Sequence, residues 1–384
     1  MSDIIRLSGS DFEEAMDFLN LVFSTKRYHE FENMLPVLYR PDDRHMSWNF
    51  AVKQSGRIRA IVGMFPMEWK VGDTIMRVAG IGGVSTHRND RGAGYMKELM
   101  HHAVSAMGDE GYDLSWLSGQ RQRYAWFGYE NAGLRCKVHL NRSNIRHALN
   151  NEAPPLKFEK VEKDDRERLQ KMKALHDAQP MRTVRDDEDY YLRLLSWRNT
   201  PWVALDASGE VVGYLVWAAP HQLIAELIGP DVQTEFDIAH AWVHGHTDYG
   251  ALVELNPCRL DLLRLFGKYS ERVEFDSCSN WLIFDWEKVI GALLQMRARM
   301  GPMPDGRVLI GIEDYGTLVL EVSGGKTASE KTDGPADIEC DSLTATRLLL
   351  GPLPPASVME LPASASLLQH WRPLPAFWPK QDGV

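Results

Sequence analysis

The segment Gly82-Gly83-Val84-Ser85-Thr86-His87-Arg88-Asn89-Asp90-Arg91-Gly92-Ala93-Gly94-Tyr95-Met96 constrains this chain more than any other. It reads as a strand, a glycine-bearing turn and a helix start. The helix is announced by the apolar stripe Met96, Leu99, Met100, Ala103, Val104 and Met107. A helix start presents unpaired backbone N–H groups and the positive end of the helix dipole. Glycines let a ligand come close to that backbone. Such a helix start can make a site for an anion such as a pyrophosphate. The loop is not a P-loop, because no Gly-Lys-Ser/Thr follows. It is not a dinucleotide fingerprint either, since the third glycine is missing and the preceding strands read as antiparallel. A Gly-x-Gly pair alone marks a tight turn as readily as a ligand site, so the flanks decide.

Upstream, residues 4–7 alternate like a short strand. Phe12, Ala15, Met16, Leu19, Val22 and Phe23 follow at helical spacing, with Ser10 or Asp11 as cap. Hairpins are expected at 49–52 with 58–66, and at 67–71 with 74–78, before the strand 79–87. Downstream come a strand at 113–118 and the aromatic run Tyr124-Ala125-Trp126-Phe127-Gly128-Tyr129. A second cycle follows. Helices are expected at 164–176 and 186–198, then a strand–turn–strand over 201–218, a helix at 231–246, and strands near 251–255 and 281–285. Val203-Ala204-Leu205-Asp206-Ala207-Ser208-Gly209 echoes Phe50-Ala51-Val52-Lys53-Gln54-Ser55-Gly56, which points to a duplicated domain. The second copy lacks a Gly-rich loop, so any cofactor site in it is expected to be dead. From Trp286 the pattern changes to a helix (287–300), strands at 307–313 and 317–322, an exposed polar loop at 323–335, a short strand at 337–340 and a helix at 342–350. The Pro- and Trp-rich end, Trp371 to Pro379, is too aromatic for a solvated tail and is expected to pack on the body.

Arg-x-x-Gly before a long helix, after hairpin strands and before Phe-Gly-Tyr, resembles the GNAT superfamily of N-acetyltransferases. Its signature is Gln/Arg-x-x-Gly-x-Gly/Ala, with Arg91, Gly94 and Met96 in those places. Met96 departs from Gly/Ala. The run Thr86-His87-Arg88, shifted in register, and Tyr124-x-x-Phe127-Gly128-Tyr129 are similar to the enhanced intracellular survival (Eis) branch, which tolerates a large residue at the last place. The resemblance implies an α/β (α+β) fold with tandem GNAT-like mixed-sheet domains followed by a sterol-carrier-protein-like α+β domain. The boundaries would be 1–148, 149–286 and 287–384. It also implies an acetyl-coenzyme A-dependent N-acetyltransferase acting on a small-molecule primary amine: a polyamine, an aminoglycoside-like compound or a lysine side chain. Val84, Ser85 and Thr86 would hold the pantetheine arm. Arg91, Gly92, Ala93, Gly94, Tyr95, Met96 and Lys97 would hold the pyrophosphate, with Gly119 and Gln120 also lining the cofactor site. Tyr124 would be the general acid that protonates the departing thiolate, a task a phenol near pKa 10 fits. Read without the family, Tyr124 is an aromatic packed beside Trp126 and Phe127. The carboxylate of Val384 would be the base, with Asp382 as a substitute. Relatives end in an aromatic residue, and Val384 departs from that. A homo-oligomer, up to a hexamer, is implied as well.

Three other readings stay open: a longer-chain acyl or aminoacyl transferase, a non-catalytic coenzyme A-binding regulator, and a C-terminal lipid carrier. The formal net charge of −10 argues against nucleic acid as partner and suits a cationic amine. Many acidic proteins carry such a charge for solubility alone. Four cysteines without paired spacing argue against a disulfide framework or zinc knuckle. His244 and His246 have metal-like spacing but no third ligand, so no metal is expected. His87, His101 and His102 flank the loop. Glu30, Phe31, Glu32 and Trp48 are candidates for an amine pocket, or the glutamates for a solvated helix face. No signal peptide or apolar run of about 18 residues is seen, so the expected place is the cytoplasm, off the membrane.

Overall fold

The computed structural model describes residues 3–24, 29–149 and 152–384, and it is a mixed α/β fold with three sheets. The first sheet begins with β1 (Ile4–Arg6), β2 (Asn49–Gln54), β3 (Arg57–Val71), β4 (Thr74–Thr86) and β5 (Leu114–Leu117), in that spatial order. Strand Asn280–Ile283 adds to β5, and Glu130–Asn131 closes that edge. Neighbours β1 to β4 are antiparallel, whereas β4 and β5 are parallel. A parallel pair needs a crossover, and the helix Tyr95–Asp109 supplies it, burying Leu99, Met100, Ala103 and Met107 on the sheet. The sequence suggests several short hairpins here. Instead β3 and β4 run unbroken for 15 and 13 residues. Pro66 is tolerated inside β3 because pairing with β2 extends along β3 only to Gly63 and pairing with Met181–Thr183 starts only at Trp69. On that edge Met64 N donates to Trp48 O and Glu68 O accepts from Val184 N, so the N–H that Pro66 lacks has no strand to pair with.

The second sheet repeats the plan. Antiparallel strands Lys157–Lys160, Thr200–Leu205, Val211–Ala218 and Leu223–Ile228 lead through the helix Val232–His246 to Gly250–Leu255, which pairs in parallel with Leu223–Ile228. Arg135–Asn141 and Arg272–Asp276 complete it. The domains are thus tandem GNAT-like mixed sheets. They are stitched together, since the chain leaves the first sheet for Arg135–Asn141 and returns to it with Asn280–Ile283.

The third sheet has four strands, Lys326–Thr332, Gly316–Ser323, Gly306–Ile312 and Ile338–Cys340, with the helices Trp286–Met300 and Ser342–Leu350 beside it. The polar stretch expected as a loop at 323–335 is largely an edge strand. Left-handed Gly324 and Gly325 turn the hairpin, and backbone pairing carries a strand whose side chains are mostly exposed. Two helix details also bear on expectation. A single 3-10 turn with a Ser8–Asp11 capping box precedes the first α-helix, Phe12–Phe23, whose N-cap is Asp11, the second of the two expected residues, and not Ser10. The helix expected over 186–198 is only Tyr190–Leu195, because Trp197 and Arg198 turn left-handed at φ 63° and 59°.

Candidate active site

Strands β4 and β5 pair from Val78↔Leu114 to Ile81↔Leu117 and then part. Two features hold the fork open. On the β4 arm the register with β3 slips between Ile61↔Ser85 and Gly63↔Gly82, so Gly83 and Val84 together face Val62 as a bulge. Gly83 takes φ +61°, a conformation that suits glycine. On the β5 arm, Asn280 Nδ2 donates to Gly119 O at 3.0 Å, drawing residues 118–120 away from β4. Ser85 lies buried with its Oγ donating to Gly83 O at 2.9 Å, and Thr86 Oγ1 is buried with no partner. Val84 is half-buried against the same core cluster as Met96 and Tyr124.

Beyond the fork lies the loop. Gly92 and Gly94 have φ +93° and +89°, and a Cβ built on either would meet nothing within 4 Å. These glycines therefore serve backbone conformation, and the space above them is open. Gly94 is the N-cap of the helix Tyr95–Asp109 and has no side chain with which to cap its first-turn amides. Arg91, Gly92, Ala93, Gly94 and Lys97 are exposed, Met96 is half-buried, and Tyr95 turns inward, its hydroxyl bonded to Gln54 Nε2. An uncapped helix start under open space, next to a parted strand pair, is the donor set an anionic, amide-bearing ligand such as coenzyme A requires. His101 and His102 pack edge-on against Phe127 and Phe50. His87 Nδ1 lies 3.3 Å from Asp90 Oδ2.

Tyr124 ends a short helix, Arg121–Tyr124, for which Gln120 is the N-cap. Its ring lies flat on Gly119. A Cβ there would fall 2.3 Å from Tyr124 Cε2, so only glycine admits the ring. Tyr124 is 7% exposed, and burial raises its phenol above the ordinary value, with the nearby Arg123 acting the other way. It is thus a neutral phenol at the mouth of the fork.

The opposite arm carries the C-terminus. A Cβ on Gly82 would fall 3.0 Å from the carboxyl carbon of Val384, and one on Gly80 would fall 3.1 Å from its Cγ2. Neither glycine has positive φ. They are glycines because the last residue of the chain lies over them. The tail is anchored residue by residue. Trp378 is fully buried and its Nε1 donates to Asp382 O at 3.1 Å. Gln381 is fully buried, donating to Arg193 O and Leu194 O and accepting from Asn199 Nδ2. Trp197 Nε1 donates to Gly383 O at 3.3 Å, which accounts for the left-handed turn at Trp197 and Arg198. Asp382 is grasped by Arg185 through two bonds of 3.0 and 2.7 Å, and Arg185 also holds Glu226. These ions hold the Asp382 carboxyl below its ordinary range despite burial. Asp382, offered by the sequence as a substitute base, is committed to this pair. Arg185→Met should cost about 3–5 kcal/mol of stability, because two buried carboxylates lose their partner. Urea unfolding checks this.

The second sheet has its own fork, and the tail fills it. Leu223–Ile228 and Gly250–Leu255 pair only at Leu223↔Leu252 and Ile224↔Val253. Past that point Glu254 Oε1 accepts from Lys380 N, and Phe377 and Pro379 line what remains, about 70 Å³. A cofactor could not lie there without displacing the tail.

The aromatic residues Phe31, Tyr39, Phe65 and Trp48 form a contiguous arc beside Val384, with ring centroids 5.5–6.3 Å apart. A cleft of about 340 Å³ runs from Trp48 past Met67 to Asp382. Of the sequence candidates for an amine pocket, Phe31 and Trp48 belong to this region. Glu30 is paired with Arg198 and Glu32 lies 3.5 Å from Asn20 Nδ2. Far from the site, His246 stacks on Trp242 and His244 lies near His240.

Residues 3–132 match the family model for an acetyltransferase (GNAT) domain. The chain is an enzyme, a transferase of the N-acetyltransferase type. GNAT domains use acetyl-coenzyme A as co-substrate. Among solved structures, the GCN5-related N-acetyltransferase of Kribbella flavida superposes with a TM-score of 0.71 at 17% identity, covering 100% of both chains. A probable N-acyltransferase of Enterococcus faecalis V583 gives 0.69 at 16% identity, covering 98% of this chain and 97% of its own. Eis1 of Mycobacterium abscessus gives 0.65 at 13% identity over 100% of both. At these identities the likeness is one of fold. No curated protein matches by sequence. Among the described residues no helix is long and apolar enough to cross a membrane.

Proposed function

We propose that this protein transfers an acetyl group from acetyl-coenzyme A to a primary amine by direct attack. The observation that carries the reading is the meeting of two ends of the fold at one fork: Tyr124 on Gly119 and the Val384 carboxyl over Gly82. The bound co-substrate supplies the thioester. Backbone amides of 84–86 pair with the pantetheine arm, and those of 91–97 with the pyrophosphate. Gly92 and Gly94 are both left-handed and in Gly-x-Gly spacing, which favours a register with these two as the signature's glycines; Asn89 then departs from Gln/Arg in place of Met96 departing from Gly/Ala. A backbone amide near Val84 steadies the oxyanion. Tyr124 gives its proton to the departing sulfur, and the Val384 carboxylate receives the proton of the amine. Positioning both reactants supplies much of the acceleration.

The units 1–148, 149–286 and 287–384 divide the labour, except that 135–141 crosses into the second sheet and 280–283 back into the first. The first holds the co-substrate, the second anchors the tail that delivers the base, and the third is a sterol-carrier-like domain in fold. The inward residues of the third, Val308, Ile310, Leu318, Leu320 and Leu348, are at most 1% exposed in one solid core, which favours a structural role over lipid carriage. Cytoplasmic placement and a homo-oligomer, up to the hexamer of the Eis type, belong to the same reading. Thiol release from acetyl-coenzyme A is the test, with polyamines, aminoglycosides and lysine peptides as acceptors. Amine-dependent release is expected. Tight acetyl-coenzyme A binding with no release for any amine would make the protein a coenzyme A-binding regulator instead.

A further inference from the structure

Tyr39 is 3% exposed and its hydroxyl has no hydrogen-bond partner among the described residues. Buried hydroxyls are normally paired, so an orphan asks for a ligand. The ring is fixed edge-on against Phe31 and Phe65, with centroids 5.6 and 5.5 Å away. So held, it delivers Oη to the bulge in β4: a Cβ on Gly83 would fall 2.8 Å from it. The preceding residue, Gly82, lies under the tail: a Cβ there would fall 3.0 Å from the carboxyl carbon of Val384 and 3.2 Å from Phe65 Cε2. Tyr39, Phe65, Leu19 and Val384 share one apolar cluster. The orphan hydroxyl and the C-terminal carboxylate thus flank two successive residues of one strand, on the face away from the Tyr95–Asp109 helix.

Burial raises the Tyr39 phenol, so it stays neutral and keeps both a proton and free lone pairs. A neutral hydroxyl beside an anion and aromatic walls suits a nitrogen that brings protons. It does not suit an acid, which the carboxylate would repel. We propose that Tyr39 is a binding residue for the acceptor: its hydroxyl accepts a hydrogen bond from the incoming primary amine and holds that nitrogen beside the C-terminal carboxylate. The apolar stem of the amine would lie along Phe31 and Phe65. This inference rests on the acetyl-transfer reading of the same site and names a group that receives the acceptor.

The test is Tyr39→Phe in the full chain, with spermidine as probe. Because the hydroxyl has no partner in the fold, its loss should leave the melting temperature unchanged or higher. The kcat/KM for spermidine should fall ten- to a hundredfold, mostly in KM, while KM for acetyl-coenzyme A stays within twofold. A kcat/KM within twofold of the parent overturns the proposal. So does a melting temperature lowered by several degrees, which would make the hydroxyl structural. If the parent protein releases no thiol with any amine, the acetyl-transfer reading fails on its own. Calorimetric titration of spermidine then still decides about Tyr39: weaker binding by the variant supports it, and equal binding, or none to either protein, sinks it.

Discussion

A chain ending at Asp382 should bind acetyl-coenzyme A like the full chain yet acetylate amines at least ~10²-fold more slowly, the usual scale for a lost general base. The expectation follows from how the tail is built. Trp378, Gln381 and Asp382 are each buried and bonded, so the anchor survives the cut. What goes is Gly383, with its bond from Trp197, and the carboxyl over Gly82. A chain lengthened by one glycine is the companion variant. It keeps every anchor and moves the carboxylate by up to about 3.5 Å. Its kcat should fall similarly, with the melting temperature unchanged. Steady-state kinetics and co-substrate titration on both variants check this. Full activity in the lengthened chain would remove the carboxylate from the reaction.

Tyr124→Phe should lower kcat by about 10²-fold or more while KM for acetyl-coenzyme A moves less than twofold. The ring packing on Gly119 is retained, so the loss reads the hydroxyl alone. The defect should shrink with an aryl thioester donor, whose thiolate leaves without a proton. The pH dependence has a definite sign. An acid works while protonated, and burial raises this phenol above its ordinary value. Tyr124 should therefore cause no loss of rate as pH rises through the neutral range. Any alkaline limb it imposes lies above pH ~10. An alkaline limb near pH 8 that vanishes in the Phe variant would contradict this.

Much of the loop-and-helix arm of the fork was legible in the sequence. The stripe from Met96 to Met107 and the glycines before it give a helix start over an open loop, because periodicity and backbone conformation are local properties. The match of Phe50–Gly56 to Val203–Gly209 marked the repeated sheets for the same reason. The aromatic run ending at Trp378 announced a packed tail. The acceptor side was not legible. Gly80 and Gly82 look like flexible strand residues until Val384, far along the chain, is laid over them. Tyr39 carries no motif, and only its burial without a partner singles it out. Nor does sequence reveal that Lys380 and Phe377 fill the second fork, since their partners lie in strands more than a hundred residues distant. The edge strand at 326–332 was missed because its side chains are all polar or small and mostly exposed, so no apolar alternation marks it. Local rules see helices, turns and caps, whereas a site assembled from chain ends is set by tertiary packing.

The most direct test of the account is a crystal structure of the full chain with coenzyme A. The account predicts the pantetheine arm in the fork, paired with the backbone of 84–86. The pyrophosphate should lie over 91–97, and the sulfur within hydrogen-bonding reach of Tyr124 Oη, facing the Val384 carboxylate across Gly82. Coenzyme A bound in the second sheet's fork, or in the first with Tyr124 turned away from the sulfur, would contradict it.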